Sequence, residues 1–195
     1  VSPSIGFLKT AQDARFPSLL KLPKNADIVV QVHYPAGSVG LQDSTEVRFF
    51  FEPPTGIREV YMQPILYHDF DLIGGPLHIP ADSVKTYEEE LPGAFLMLTG
   101  DISMLGAFPH MHLIGKSIKS YGILPTGDTD RYISVPDWDF HWQGFYTFQK
   151  LQFIPKGSTF YGFATYDNTA NNPENPNSPP QNVSVGEATT DEMML

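Results

Sequence analysis

No stretch of this chain sustains a helical repeat. Apolar residues keep a 3.6-residue spacing for no more than two turns. Short runs of β-branched and aromatic residues recur instead, each closed by Pro, Gly or Asn. Prolines number 18 and glycines 16 among 195 residues, above the usual share. Proline neither continues a helix nor donates to a ladder, and glycine turns the chain where other residues resist. Many short strands joined by frequent turns predict an all-β sandwich.

Residues 28–34 and 46–51 read as two strands of an antiparallel hairpin, stopped by Pro35 and Pro53. Residues 77–80 and 84–88 resemble short strands paired around a turn. Residues 94–98 and 102–107 lead into the segment Phe108-Pro109-His110-Met111-His112-Leu113-Ile114-Gly115, with 104–107 open to reading as one helical turn. Residues 116–124, 132–135 and 159–166 have strand composition, and 138–151 alternates in part. The Asn- and Pro-rich residues 169–182 can form neither helix nor central strand. They read as a long surface loop returning the chain to 183–193.

Charge and composition exclude several classes. The net charge of -10 argues against a nucleic-acid partner, which needs clustered Lys and Arg. With no cysteine there is no disulfide and no thiolate metal site. No apolar run approaches the length of a membrane span. Both ends look cut, so a fragment of a longer protein is expected. No glycine-rich phosphate loop and no nucleophile turn is present. Asn182-Val183-Ser184 fits a glycosylation sequon, which matters only in a secretory eukaryotic host.

The residues that carry chemistry are His110 and His112. At i and i+2 on a strand they face the same way, and two neutral imidazoles make half of a metal site. Asp191-Glu192-Met193 offers a thioether, which with two imidazoles suits copper, Cu(I) above all. The plainer reading has the histidines satisfied by carbonyls or water and Met193 in the core. Met194 is the second choice of thioether, and Met111 reads as core. Asp191 and Glu192 are open to acid–base work, but a structural role, or one orienting an imidazole, is preferred. His33 sits in the first predicted strand with Gln31 on its face. His68 and His78 sit outside any motif. His141 reads as the edge of an aromatic cluster with Trp138, Phe140, Trp142 and Phe145. A cupin-type site also uses H-x-H but needs a glutamate a few residues on, and 113–122 holds none.

Three ordered blocks give the chain a resemblance. Gln31-Val32-His33-Tyr34, His110-Met111-His112 with Gly115, and Gly186-Glu187-Ala188-Thr189-Thr190-Asp191-Glu192-Met193 resemble blocks of the copper type II, ascorbate-dependent monooxygenases. That family includes peptidylglycine alpha-hydroxylating monooxygenase and dopamine beta-monooxygenase. Trp142-Gln143-Gly144-Phe145-Tyr146 resembles the aromatic segment between the last two blocks. The resemblance implies two jelly-roll-like domains, with 1–38 ending the N-terminal copper domain and 39–195 forming the C-terminal one. It implies an O2-activating, C–H-hydroxylating copper on His110, His112 and Met193. His33 would serve a second, electron-relaying copper, whose other two histidines belong to the missing part of the N-terminal domain. Ascorbate as reductant, a small-molecule substrate and a periplasmic or secreted setting are implied as well. Phe108 stands where the peptidylglycine enzyme has an arginine for the substrate carboxylate, so a peptide C-terminus is not the expected substrate. The lack of cysteine also departs from the disulfide-bearing animal members. The alternatives are a non-catalytic copper-binding β-sandwich and a metal-free interaction module.

Overall fold

The computed structural model describes residues 18–19, 22, 24–30, 32, 34, 37–51, 58–66, 73, 75–94 and 99–192. The fold is all-β, with no helix among these residues, and its main sheets are antiparallel. The chain divides into two compact units, 63–195 (with residues 1–5) and 6–62.

The larger unit is built on four strands: β4 (Ser83–Pro92), β6 (Gly115–Ile123), β7 (Thr129–Val135) and β9 (Thr159–Asn168). They lie in the order β4-β9-β6-β7. Strand β9 shows why. Phe160, Gly162, Ala164, Tyr166 and Asn168 are buried, while the residues between them are half-exposed. The period of two puts one face of the strand on the core. Register follows, with Tyr87 opposite Ala164 and Ile118 opposite the same alanine on the other side.

Two layers cover that inner face. At one end β5 (Ile102–Ala107) pairs with β8 (Tyr146–Ile154). Ile154 of β8 meets Tyr132 and Phe160 there, with Ile102, Met104, Leu91 and Phe148 around them. At the other end β3 (His78–Ile79) pairs with β10 (Val183–Ser184). Ile79 and Val183 join Tyr87, Tyr166, Ile118, Met111 and Ile114 in the larger core cluster. Fully burying such side chains stabilises by roughly 1.5–3 kcal/mol each. The expected sandwich is thus present, and Met111 lies in its core with no exposed surface.

Asn168 joins the second layer to the sheet. It is fully buried, and its Nδ2 donates to the carbonyls of Ile79, Pro80 and Gln181 at 3.0, 3.1 and 2.7 Å. Its Oδ1 accepts from Asn175 Nδ2 at 2.9 Å. The loop 169–182, without helix or strand as expected, is thereby tied down before it feeds β10.

Three local expectations fail. The segment at 104–107 is strand, not a helical turn. Strands β3 and β4 do form, but each pairs elsewhere, β3 with β10 and β4 with β9. Tyr87 instead links them through its hydroxyl, which donates to the His78 carbonyl at 2.5 Å. In the smaller unit the hairpin of 28–34 and 46–51 is absent: the described residues of both runs lie outside any strand. Val29, Phe50 and Phe51 are exposed, so their β propensity has neither a partner strand nor a buried face to act on. Among the described residues of that unit the strands are β1 (Ser18–Leu19) and β2 (Arg58–Glu59), paired parallel. Residues 95–98 lie outside the described set. No helix among the described residues is long and apolar enough to cross a membrane.

Candidate metal centre

After β5 the chain runs extended through Phe108 to His112 and enters β6 by a turn at Leu113-Ile114. Its alternation buries Met111 and sets His110 and His112 side by side, ring centres 5.2 Å apart and nearly perpendicular at 84°. His112 is 4% exposed and His110 half-buried.

Met111 forms an isolated bridge, but His112 and the turn after it belong to none of the strands, so the His112 and Ile114 amides need other partners. Glu192 supplies them. Its side chain is fully buried, with Oε2 accepting from the His112 N–H and Oε1 from the Ile114 N–H, both at 2.9 Å. Glu192 is itself held by its backbone, donating to the Ser184 carbonyl and accepting from the Gly186 N–H, each at 3.1 Å. The turn between is tight. A Cβ on Gly186 would stand 2.2 Å from Asp191 Oδ2, which explains the glycine. Gly115 has a similar reason: a Cβ there would meet Trp138 at 2.8 Å and Met111 at 2.9 Å. Trp138 Nε1 in turn donates to the His112 carbonyl at 3.2 Å.

The ring nitrogens follow from their neighbours. His112 Nδ1 faces the Asp191 carbonyl at 3.1 Å, and a carbonyl only accepts, so that nitrogen carries the proton. Gln143 Nε2 donates to the Phe140 carbonyl at 2.6 Å, which fixes the amide orientation. Gln143 Oε1 then faces His110 Nδ1 at 2.5 Å and makes it a donor too. In both neutral rings the lone pair is left on Nε2. Burial lowers both pKa values below the ordinary histidine range. For His110 this outweighs the Gln143 bond. For His112 it outweighs the carbonyl of Asp191, and the neighbouring His110 lowers the value further. Phe108 lies parallel to His110 at 6.5 Å, and Phe140 meets His112 edge-on at 6.2 Å.

Two neutral imidazoles side by side have the chemistry of half a metal site. Metal–imidazole bonds of about 2.0–2.1 Å, plus about 1.1 Å from nitrogen to ring centre, put two rings on one ion about 5 Å apart at a near-tetrahedral angle. The observed separation is compatible with that. Among the described residues no cluster of three or more His, Cys, Asp or Glu is placed to hold a metal. The Glu192 carboxylate is committed to main-chain amides.

Met193 follows Glu192 in sequence and lies outside the described residues, as do Met194, His33, Gln31 and His68. His78 bonds Ser184 through Nδ1 at 2.9 Å on the surface. His141 is exposed, 3.4 Å from Asp139, with its ring edge-on to Phe140 at 5.8 Å. Sequence reasoning gave Gln143 no role. Its signal was one amide within the aromatic run 138–146.

Fold and site together define an antiparallel β-sandwich carrying a pair of oriented, neutral imidazoles. No protein-family model and no curated protein matches the chain.

Proposed function

We propose that this chain is a copper-dependent monooxygenase domain of the ascorbate-dependent type, with copper held by His110, His112 and Met193. The observation that carries the reading is the orientation of the two imidazoles by the Asp191 carbonyl and Gln143, with Asp191-Glu192 anchored against the same segment. Two imidazoles and a thioether favour Cu(I) and leave a coordination position open. Bound copper would supply O2 activation and hydroxylation of a C–H bond on a small-molecule substrate, with electrons from a reductant such as ascorbate.

The chain's own residues do the rest. Gln143 and the Asp191 carbonyl hold the rings in one tautomer. Burial keeps both imidazoles neutral, hence competent as ligands. Phe108 and Phe140 limit water around them. His33 belongs in this reading to a second, electron-relaying copper completed by ligands outside this sequence. The same reading makes 1–38 the end of an N-terminal copper domain and 39–195 the catalytic one, in a periplasmic or secreted protein.

Anaerobic Cu(I) titration against a competing chelator tests the assignment. One tight site per chain is expected, weakened at least about 10-fold in Met193→Ala and lost in His110→Ala/His112→Ala. A wild-type chain with no tight site, or a site indifferent to Met193, refutes it.

A further inference from the structure

Glu192 neighbours the proposed thioether ligand in sequence, yet its carboxylate is spent wholly inside the protein. It is fully buried and accepts the His112 and Ile114 amides at 2.9 Å each. Those amides flank Leu113 in the turn between the histidine segment and β6. In a sheet, i and i+2 amides on one side would be taken by the carbonyls of a neighbouring strand. Here one side chain from residue 192 serves both. Its backbone meanwhile closes onto Ser184 and Gly186, and Ser184 lies in β10, paired with β3. Two further bonds reinforce the contact. Asp191 O accepts a hydrogen bond from the His112 Nδ1–H, and Asp191 N donates to Ala188 O at 2.9 Å, folding the 186–192 turn on itself.

We infer that Glu192 is a positioning residue: a latch that holds the segment 183–192 against His110-Met111-His112, so that the two halves of the copper site form together or not at all. The inference rests on the copper reading above. Docking of the segment and metal binding are then one linked equilibrium, and whatever favours one favours the other. The two amides make Glu the suitable residue. Glutamine offers one acceptor oxygen and an NH2 group, so one of the two N–H groups would face a donor.

The test compares wild type with Glu192→Gln, using amide hydrogen exchange of the metal-free protein and then Cu(I) binding with X-ray absorption. In metal-free Glu192→Gln the His112 or Ile114 amide should lose protection while amides of β4, β6 and β9 keep theirs. Cu(I) affinity should fall about 10–100-fold, with copper–sulfur scattering lost and copper–nitrogen scattering kept. A purely structural glutamate would change stability without removing sulfur from copper. Should Glu192→Gln fail to fold, wild type decides alone: Cu(I) must slow exchange across 183–192 and at Ile114, and unchanged exchange there overturns the inference. A wild-type site whose affinity and sulfur signal survive Glu192→Gln overturns the latch but leaves the copper reading. Absence of any wild-type Cu(I) site overturns both.

Discussion

Asn168 carries more of the fold than its single amide suggests. Replacing it by Ala removes donors from the Ile79, Pro80 and Gln181 carbonyls and an acceptor from Asn175 Nδ2. Two hydrogens serve the three carbonyls, so the loss is nearer three hydrogen bonds than four. At about 1 kcal/mol each, with a further penalty for carbonyls left dry in a site of no solvent exposure, the substitution should cost about 3–4 kcal/mol. For a unit of this size that is about 10–15 °C in Tm. Asn168→Asp gives the sharper comparison. It keeps the shape but turns a carboxylate oxygen toward carbonyl oxygens, so at neutral pH it should be less stable than Asn168→Ala. Its folded-state pKa would be raised, because the charged form faces acceptors. Its stability should therefore rise on acidification through that pKa, as the folded state takes up a proton. Urea denaturation at pH 7 and pH 4.5 measures both effects. A loss under about 1 kcal/mol in Asn168→Ala, or an Asp variant no worse than Ala at pH 7, would refute the assignment of Asn168 as the tie between the layers.

Three other outcomes are expected. Tyr132→Phe should be neutral or stabilising by about 1 kcal/mol in urea denaturation, since the Tyr132 hydroxyl is buried with no hydrogen-bond partner among the described residues; a loss above 1 kcal/mol would mean that the hydroxyl is satisfied. For Asp167, burial raises the pKa, but the Thr169 hydroxyl and amide and then Lys116 overcome it, and the net value is lowered. The folded-state advantage is present above the ordinary carboxylate pKa and lost as pH falls through the lowered one, so below about pH 4 wild type should lose stability faster than Asp167→Asn in acid titrations followed by circular dichroism. Gln143→Leu should leave Tm within about 2 °C, free the His110 ring tautomer in nitrogen-15 imidazole spectra, and weaken Cu(I) by about 10-fold; unchanged ring spectra would remove Gln143 from the site.

The four-stranded sheet was legible because its strands carry their own signals. Residues 159–168 alternate between the core and the outer face, and the turn at Pro125-Thr126-Gly127-Asp128 separates β6 from β7. Met111 was legible as core by the same alternation, which also put the histidines on a common side. What was not legible depends on distant partners. Nothing local to His78-Ile79 says that it pairs with Val183-Ser184, some hundred residues on, rather than with β4. The 28–34 and 46–51 runs show the converse: strand composition without a neighbour makes no strand. Gln143 escaped notice because an amide among aromatics gains meaning only when a tertiary contact brings it to His110, 33 residues away. Glu192 was read as structural or ring-orienting, but the pair of amides it serves is set by a turn that sequence does not reveal.

The 80-residue separation of Glu192 from His112 has a consequence for biosynthesis. A ribosome adding about 5–20 residues per second needs about 4–16 s to pass from one to the other. Through that interval the paired imidazoles emerge with their segment's amides unclaimed and β10 not yet made. Any ion they capture then meets a flexible chain, not a shaped site. On the copper reading proposed above, selectivity for the metal is accordingly exercised only once residues 183–192 have docked on the histidine segment.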